Sequence, residues 1–178
     1  SDGSRAVSDM AEADFGDRDD VRVHLQERNQ GLLTARNTGA RVADGDVVAF
    51  IDDDAIADTS WLAELAAAYE TGEDARTDGE VLAAGGRMTP EWVAGKPRFL
   101  PAEFYWLVGV THRGFADGPG EVRNTFGSNI SFRRTVFEEL GGFDTNIGGR
   151  KGDKHLQGGE TELCARLAAE YGVGVQYT

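Results

Sequence analysis

Apolar side chains recur at helical spacing in several segments of the chain. In the clearest case, Trp61, Leu65 and Tyr69 share one helical face with Leu62, and residues 58–60 supply N-cap side chains just upstream. This periodicity is typical of amphipathic helices that bury one side. We therefore predict helices at residues 32–43, from 58–60 to about 69, around 102–108, and at 134–140 and 160–171.

Short apolar or β-branched runs lie between these helices and predict strands. Residues 47–51 (VVAFI) are continuously apolar, as expected of a strand that is buried on both faces. Residues 89–123 hold all four prolines and have poor periodicity, so most of this stretch is predicted to be irregular. The predicted strands are residues 21–25, 47–51, 81–85, 129–132 and 173–177.

Strands that alternate with helices predict an α/β sandwich with a mostly parallel central sheet. The first residues, Ser1 to Ser4, look like a turn that follows a strand, and residues 173–177 open a strand that the sequence does not finish. We therefore expect a single domain over residues 1–178 that is truncated at both ends.

Composition adds a strong acidic bias to this picture. The chain has 178 residues and a formal net charge of −13, and only three of its 18 cations are lysines. The charge argues against nucleic acid as the main partner, since phosphate binding needs clustered cations. Such a surface suits a salt-accumulating halophile, because the screening length falls to ~3 Å at 1 M salt; an ordinary acidic domain is the alternative. The apolar runs are too short to span a membrane, and the single cysteine, Cys164, cannot form an internal disulfide.

Three consecutive carboxylates, Asp52, Asp53 and Asp54, directly follow the apolar run VVAFI. In open α/β proteins, ligands bind where strands end at the carboxyl edge of the sheet. A hard divalent cation such as Mg²⁺ or Mn²⁺ would relieve the repulsion between the carboxylates and accept substrate phosphates as well. In an extended segment, Asp52 and Asp54 would point one way and Asp53 the other. The alternative is a solvated acidic turn.

Several motifs together resemble the family 2 glycosyltransferases, which have the Rossmann-like GT-A fold. Each motif alone is weak, but the set occurs in the right order along almost the whole chain. The motifs are NQGLLTARNTG from Asn29, GDVVAFIDDD from Gly45, FGSNISFRR from Phe126, EELGGFD from Glu138 and GGETELCARL from Gly158.

The resemblance implies a donor site in residues 1–88 and an acceptor and catalytic half in residues 89–178. Asp2 matches a residue that contacts the nucleobase, although Ser1 stands where an Asp is often found. Arg36 matches a cation near the nucleotide, with a solvated surface arginine as the alternative. Asp54 is expected to hold Mg²⁺ or Mn²⁺ together with Asp52, while Asp52 and Asp53 serve the ribose or bound water.

The resemblance also implies a general base at Glu160, because this residue matches the family's acidic position at the start of a helix. Here Gly159 replaces the leading Glu of the usual pair, and Glu160 replaces the usual Asp. Glu162 is the second candidate for the base. The alternative is that Glu160 only caps its helix, since acids favour helix N-termini.

Two further features stay open at this point. The aromatic residues of the irregular stretch either form an acceptor-binding lip or pack their own loop; they are Trp92, Phe99, Phe104, Tyr105 and Trp106. Residues 148–159 are predicted to be a mobile loop, in which Arg150, Lys151 and Lys154 either neutralise donor phosphate or are simply solvated.

Taken with the residues, the resemblance implies a metal-dependent, inverting glycosyltransferase. It would move a sugar from a nucleotide-sugar donor to a glycan or a lipid-linked acceptor. The alternatives are a sugar-phosphate nucleotidylyltransferase and a non-catalytic module that binds a cation or a nucleotide. We expect a cytoplasmic protein. The alternative is peripheral attachment at the cytoplasmic face of the membrane through parts outside this sequence.

Overall fold

The computed structural model describes residues 5–24, 31–72, 74–147, 149–151, 154–156 and 158–178. The helices are α1 (Arg5–Phe15), α2 (Leu32–Val42), α3 (Trp61–Thr71), α4 (Arg134–Glu139) and α5 (Gly159–Tyr171), with 3₁₀ turns at Ala75–Thr77 and Ala102–Val108. The strands are β1 (Val47–Phe50), β2 (Ala83–Gly85), β3 (Gly120–Val122), β4 (Ile130–Arg133), β5 (Gly149–Lys151), β6 (Lys154–Leu156) and β7 (Val175–Tyr177).

Five of these strands form a mixed sheet in the order β1-β4-β2-β7-β3. Strands β2 and β7 pair in parallel, whereas β4 pairs antiparallel with both β1 and β2, and β3 pairs antiparallel with β7. It follows that β1, β2 and β7 run in one direction and β3 and β4 in the other. A second, two-stranded sheet is the antiparallel hairpin of β5 and β6.

The described chain divides into two compact units. The first comprises Ser1–Asp44 and Phe143–Gly159, and contains α1, α2 and the β5–β6 hairpin. In it, the side-chain amide of Asn37 donates to the Phe143 carbonyl and accepts from the Phe143 N–H, both at 2.8 Å. This reciprocal pair ties α2 to the second segment of the unit.

The second unit comprises Gly45–Gly142 and Glu160–Thr178, and contains the five-stranded sheet with α3, α4 and most of α5. From α3, Leu65 and Tyr69 pack with Val81 and Ala84 in one buried cluster. Fully burying a large apolar side chain contributes about 1.5–3 kcal/mol, so this core supplies much of the unit's stability. Large apolar side chains with no exposure in this unit are Phe132, Ile130, Leu163, Leu167 and Val175.

The predicted α/β class is confirmed, and the sheet is mixed where a mostly parallel one was expected. Parallel neighbours need a helical crossover, and the long connection from β2 to β4 contains only the 3₁₀ turn Ala102–Val108 and the short strand β3. That connection therefore returns β4 antiparallel between β1 and β2. The 3₁₀ turn has the predicted bounds of residues 102–108.

Two strand predictions need correction. Strand β1 lies at one end of the sheet, and Ala49 is exposed between the buried Val48 and Phe50, so β1 is not buried on both faces. The predicted strand at residues 21–25 is not a strand over its described part, residues 21–24. Helix α1 was not predicted, although Val7, Met10 and Ala11 recur at helical spacing; Val7, Met10 and Phe15 are exposed.

Candidate active site

The carboxyl ends of β1, β2 and β7 meet at one edge of the sheet because these strands share a direction. The register defines this edge through a continuous row of Cα partners, which are Phe50, Ile130, Gly85 and Tyr177. Three segments leave it: Asp52 and the following residues after β1, Gly86 after β2, and Thr178 after β7. In open α/β sheets, ligands bind outside this edge.

The three aspartates lie in a turn at this edge. The Ala55 N–H donates to the Asp52 carbonyl at 3.1 Å, and the chain turns at Asp53 and Asp54. Asp52 is half-buried, while Asp53 and Asp54 are exposed. The alternation expected of an extended segment therefore stops at Asp52, and the carboxylates project from a turn.

The donor chemistry of the turn suits a hard divalent cation. Mg²⁺ takes one or two protein carboxylates and completes its shell with phosphates and water, so a protein cage of many ligands is unnecessary. Among the described residues, no three His, Cys, Asp or Glu side chains come together as a metal-holding group. The exposed carboxylates of Asp53 and Asp54 beside the half-buried Asp52 offer oxygen ligands of the required type.

Asn129 links the loops that surround this edge. Its side-chain oxygen accepts from the Trp61 indole N–H at 3.0 Å, and its side-chain nitrogen donates to the Arg87 carbonyl at 3.4 Å. The Thr125 hydroxyl donates to the Asn129 carbonyl at 3.0 Å. Asn129 thus joins the start of α3, the segment after β2 and the loop before β4. Asn129 lies in the FGSNISF motif, but the motif alone did not predict that its side chain joins these three segments.

Gly85 allows these loops to approach the end of β2. A Cβ atom on Gly85 would lie 2.5 Å from the Asn129 carbonyl oxygen and 2.6 Å from the Thr125 hydroxyl. Any other residue would push this backbone away. The double glycine of residues 85 and 86 therefore has a packing reason that is visible only once β4 is paired beside β2.

Below the edge, a buried hydrogen-bond chain joins the core of α3 to the sheet. The Ser131 hydroxyl lies 2.9 Å from the Ala84 carbonyl and 3.0 Å from the Tyr69 hydroxyl. Burial raises the pKa of Tyr69 well above its usual range, so this phenol stays neutral. The chain satisfies polar atoms that are out of reach of solvent.

Glu160 belongs to the first turn of α5. The last residue of α5, Tyr171, is followed within four residues by β7, so the C-terminal end of α5 lies at the amino end of that strand. Burial, and secondarily the charge of Glu160, raise the pKa of the Cys164 thiol to about 12, while a hydrogen bond with the Thr125 backbone lowers it. Cys164, which lies one turn after Glu160 in α5, therefore contacts the loop that contains Thr125 and Asn129.

Glu162, the second candidate for the base, is engaged in an ion pair. Its carboxylate accepts two hydrogen bonds of 2.7 Å from the Arg166 guanidinium. The same guanidinium donates to the carbonyl of Leu140 and, at 2.7 Å, to that of Gly142. Glu162 and Arg166 together fasten α5 to the end of α4, which is a structural function.

Gly159, where the family pattern has a Glu, has no room for a side chain. A Cβ atom there would lie 2.5 Å from a methyl group of the buried Leu33. Leu33 of α2 thus packs directly on the backbone at the start of α5. This contact lies within the first unit and gives a physical reason for the glycine.

Arg36 also belongs to the first unit and is buried, so the alternative of a solvated surface arginine is wrong. Its guanidinium carbon lies 5.7 Å from the centre of the Phe143 ring. Asp2 lies outside the described residues, as do parts of the 148–159 segment. The described remainder of that segment forms the hairpin of β5 and β6 and the start of α5.

The mixed sheet, the acidic turn at its carboxyl edge and the helix start beside it define a protein of the GT-A class. The sequence profile described as "Glycosyl transferase family 2" matches residues 1–141. The chain therefore belongs to glycosyl transferase family 2.

Two similar proteins add detail. The chain is 50% identical over 176 residues to a glucosyl-dolichyl phosphate glucuronosyltransferase of Haloferax volcanii, a match that covers 99% of this chain and 54% of the relative. The chain thus spans about half the length of the curated relative it matches. A mannosyltransferase from Pyrobaculum calidifontis, solved in complex with GDP-Man and Mn²⁺, matches with a TM-score of 0.55. That likeness covers 100% of this chain and 44% of the mannosyltransferase at 19% identity, and it supports the fold alone.

The described residues include no helix that is both long enough and apolar enough to cross a membrane.

Proposed function

We propose that this chain is the catalytic part of a metal-dependent, inverting glycosyltransferase. It would transfer a sugar from a nucleotide-sugar donor to a lipid-linked phosphate or glycan. One observation carries the proposal: in a family 2 chain, the acidic turn follows β1 at the carboxyl edge of the sheet, and Cys164, one turn after Glu160, contacts Thr125 beside the end of β2 at that edge.

The donor would bind at the acidic turn. Asp54 and Asp52 would hold Mg²⁺ or Mn²⁺, Asp52 and Asp53 would serve the ribose or bound water, and Asp2 and Arg36 would contact the nucleotide. When bound, the cation would offset the charge that develops on the departing nucleoside diphosphate. The Pyrobaculum mannosyltransferase, which has the same fold, was solved with Mn²⁺ and GDP-Man, and a divalent cation at the donor site is proposed here by analogy with it.

Glu160 would act as the general base. Its carboxylate would take the proton from the acceptor oxygen as that oxygen bonds to the anomeric carbon. The bond from this carbon to the donor phosphate breaks on the opposite face, so the configuration inverts. The engagement of Glu162 by Arg166 supports the choice of Glu160 within this helix turn.

The acceptor class rests on the Haloferax relative, whose name specifies a glucosyl-dolichyl phosphate. At 50% identity over nearly the whole chain, a polyprenyl-phosphate-linked sugar is the acceptor we propose. A glucuronic acid nucleotide is the donor that the same relative supports. Both substrates belong to the complete protein, of which this chain supplies the catalytic fold.

A product assay tests the proposal. The complete protein, with Mn²⁺ in molar KCl, a set of nucleotide sugars and a glucosylated polyprenyl phosphate, should release nucleoside diphosphate and extend the lipid-linked glycan. Release of pyrophosphate would instead identify a nucleotidylyltransferase. If no donor is consumed although it shifts the melting temperature, the chain is a binding module.

A further inference from the structure

Exposed apolar side chains are concentrated in one part of the second unit. We call residues 92–108 the aromatic loop. Within it, Val93 is 97% exposed and Phe99 is 87% exposed. Six of the 13 large apolar side chains that are exposed in the described chain fall in this loop; they are Val93, Phe99, Phe104, Trp106, Leu107 and Val108. A concentration of exposed apolar side chains in one segment is typical of an interaction surface.

The aromatic loop has defined internal contacts. The Trp92 and Tyr105 rings meet edge to face with centroids 5.6 Å apart, and the Lys96 ammonium lies 5.3 Å from the Tyr105 ring centre. The Arg113 N–H donates to the Ala102 carbonyl at 3.0 Å. These contacts support the loop from within, with Trp92 and Tyr105 half-buried, so the exposed apolar side chains are presented on a supported loop. The sequence alternative in which all the aromatics pack their own loop therefore fails for Phe99, Phe104 and Trp106.

The charge around the aromatic loop is opposite to that of the chain. Between residues 87 and 113 there are four cations and two carboxylates, whereas the whole chain has a net charge of −13. All four cations are exposed; they are Arg87, Lys96, Arg98 and Arg113. Lys96 and Arg98 flank Phe99 within the loop itself. Arg113 pairs with Glu103 at 2.9 Å, which leaves Lys96 and Arg98 as the cations nearest to Phe99 in the sequence. Exposed apolar side chains with a local excess of cations, in an acidic protein, suit a partner with an apolar interior and an anionic surface.

We propose that the aromatic loop docks the protein on an anionic lipid bilayer. Phe99, Phe104 and Trp106 would enter the boundary between headgroups and acyl chains, where aromatic side chains are favoured. Lys96 and Arg98 would contact lipid phosphates, with their aliphatic stems lying on the apolar layer. A symmetric pair of copies would instead bring these cations face to face, which disfavours a dimer through this loop.

This inference stands on the loop alone and goes beyond the proposed function. If both hold, the loop would place the acidic edge of the sheet on the same surface that carries a lipid-linked acceptor. Glu160→Gln should leave bilayer binding intact while it removes transfer. The failure of one proposal is therefore distinguishable from the failure of the other.

Vesicle flotation of the 178-residue chain tests the inference. Mixed vesicles of phosphatidylcholine and phosphatidylglycerol should carry the chain upward in the gradient. Vesicles of phosphatidylcholine alone should carry less of it. The double variant F99S/W106S should bind at least about tenfold more weakly, since each removes a buried aromatic contact with the bilayer. The matched control L62S/V7S changes two exposed apolar residues elsewhere and should float like the parent chain.

The contribution of the cations Lys96 and Arg98 can be measured separately. At the lowest KCl concentration at which the parent chain stays folded, K96E/R98E should lose the preference for anionic vesicles. Molar KCl should reduce that preference in the parent chain as well. Equal flotation of F99S/W106S and the parent, or no flotation of the folded parent chain, would overturn the proposal. So would a dimer, seen by light scattering, that F99S/W106S disperses without any vesicle binding.

Discussion

Two carboxylates in the first turn of α5 have different surroundings. Glu162 accepts both of its short hydrogen bonds from Arg166, which also holds the carbonyls at the end of α4. If Glu162 took a proton as a general base, its ion pair with Arg166 would be lost, and with it part of the attachment of α5 to the end of α4. Glu160 is only half-buried, so an acceptor hydroxyl can approach it.

Glu160→Gln should therefore lower kcat by about 10²–10⁴-fold, the usual contribution of a general base, and leave donor affinity unchanged. The amide keeps the shape of the side chain but cannot accept the proton. Steady-state transfer assays and calorimetry with the donor would measure the two effects. Glu170→Gln, at the other end of the same helix, is the matched control and should retain full turnover. Normal kcat in Glu160→Gln would place the base elsewhere.

Asp54→Asn should weaken Mn²⁺-dependent donor binding by at least about tenfold, since even outer-shell partners of a metal contribute 10–100-fold. The matched control is Asp46→Asn, which removes the same charge just before β1, at the opposite edge of the sheet. Calorimetry with and without Mn²⁺ is the measurement. Equal donor affinity in Asp54→Asn and the parent chain would refute the metal assignment.

At the scale of single elements, the packing at the start of α5 depends on the absence of a side chain at Gly159. Gly159→Ala would force a methyl group against Leu33, and overpacking of this kind costs about 1–3 kcal/mol. Denaturant unfolding should detect this loss. Gly39→Ala is an instructive control, because a Cβ at this helical glycine of α2 would meet nothing within 4 Å. It should stabilise the chain by about 0.5–1 kcal/mol, so matching effects of the two changes would refute the packing argument.

Cys164 predicts a pH dependence of stability. Its thiol has a pKa of about 12 in the folded chain, mainly through burial, whereas an unfolded cysteine titrates near pH 8.5. Between these values the unfolded chain has lost a proton that the folded chain retains, so stability falls as pH rises, by about 1.4 kcal/mol per unit. Below about pH 8 this contribution should be fully present.

Unfolding curves at a series of alkaline pH values would test this. Cys164→Ala should show a shallower loss of stability with pH than the parent chain. Groups such as Tyr171, whose pKa is raised to about 12 beside Glu139, titrate in both proteins and cancel in the comparison. Identical slopes would mean that Cys164 is not buried as the structure has it.

Elements with a local signal were predictable from the sequence, and elements that depend on a partner were not. Helices α3 and α5 follow from their periodicity, since the residues that share a face are only three or four positions apart. Strand β3 was missed because Gly120–Val122 has no alternating pattern and forms only against β7. The hairpin of β5 and β6 lies in a stretch that was predicted to be a loop.

At the scale of the whole molecule, the acidic surface should make folding depend on salt. A net charge of −13 on a chain of this size repels itself in dilute buffer, and concentrated salt screens that repulsion.

Thermal melts in dilute buffer and in molar KCl would check this. The transition should be broad and low in dilute buffer, and sharp and substantially higher in KCl. Molar sucrose, which adds no ions, serves as the control for general solute effects and should not reproduce the full shift. A sharp melt at the same temperature in dilute buffer and KCl would remove the halophile inference.

The amino-acid sequence by itself determined the α/β class, most helices and the family, because helical periodicity and short motifs are properties of neighbouring residues. Only the tertiary structure decided that the sheet is mixed, that Arg166 binds the carbonyls at the end of α4 and that Arg36 is buried. Those outcomes depend on which distant segments pair and how closely their backbones approach. Gly85 and Gly159 are examples, because the atoms that leave no room for a Cβ at each position belong to residues far away in the sequence.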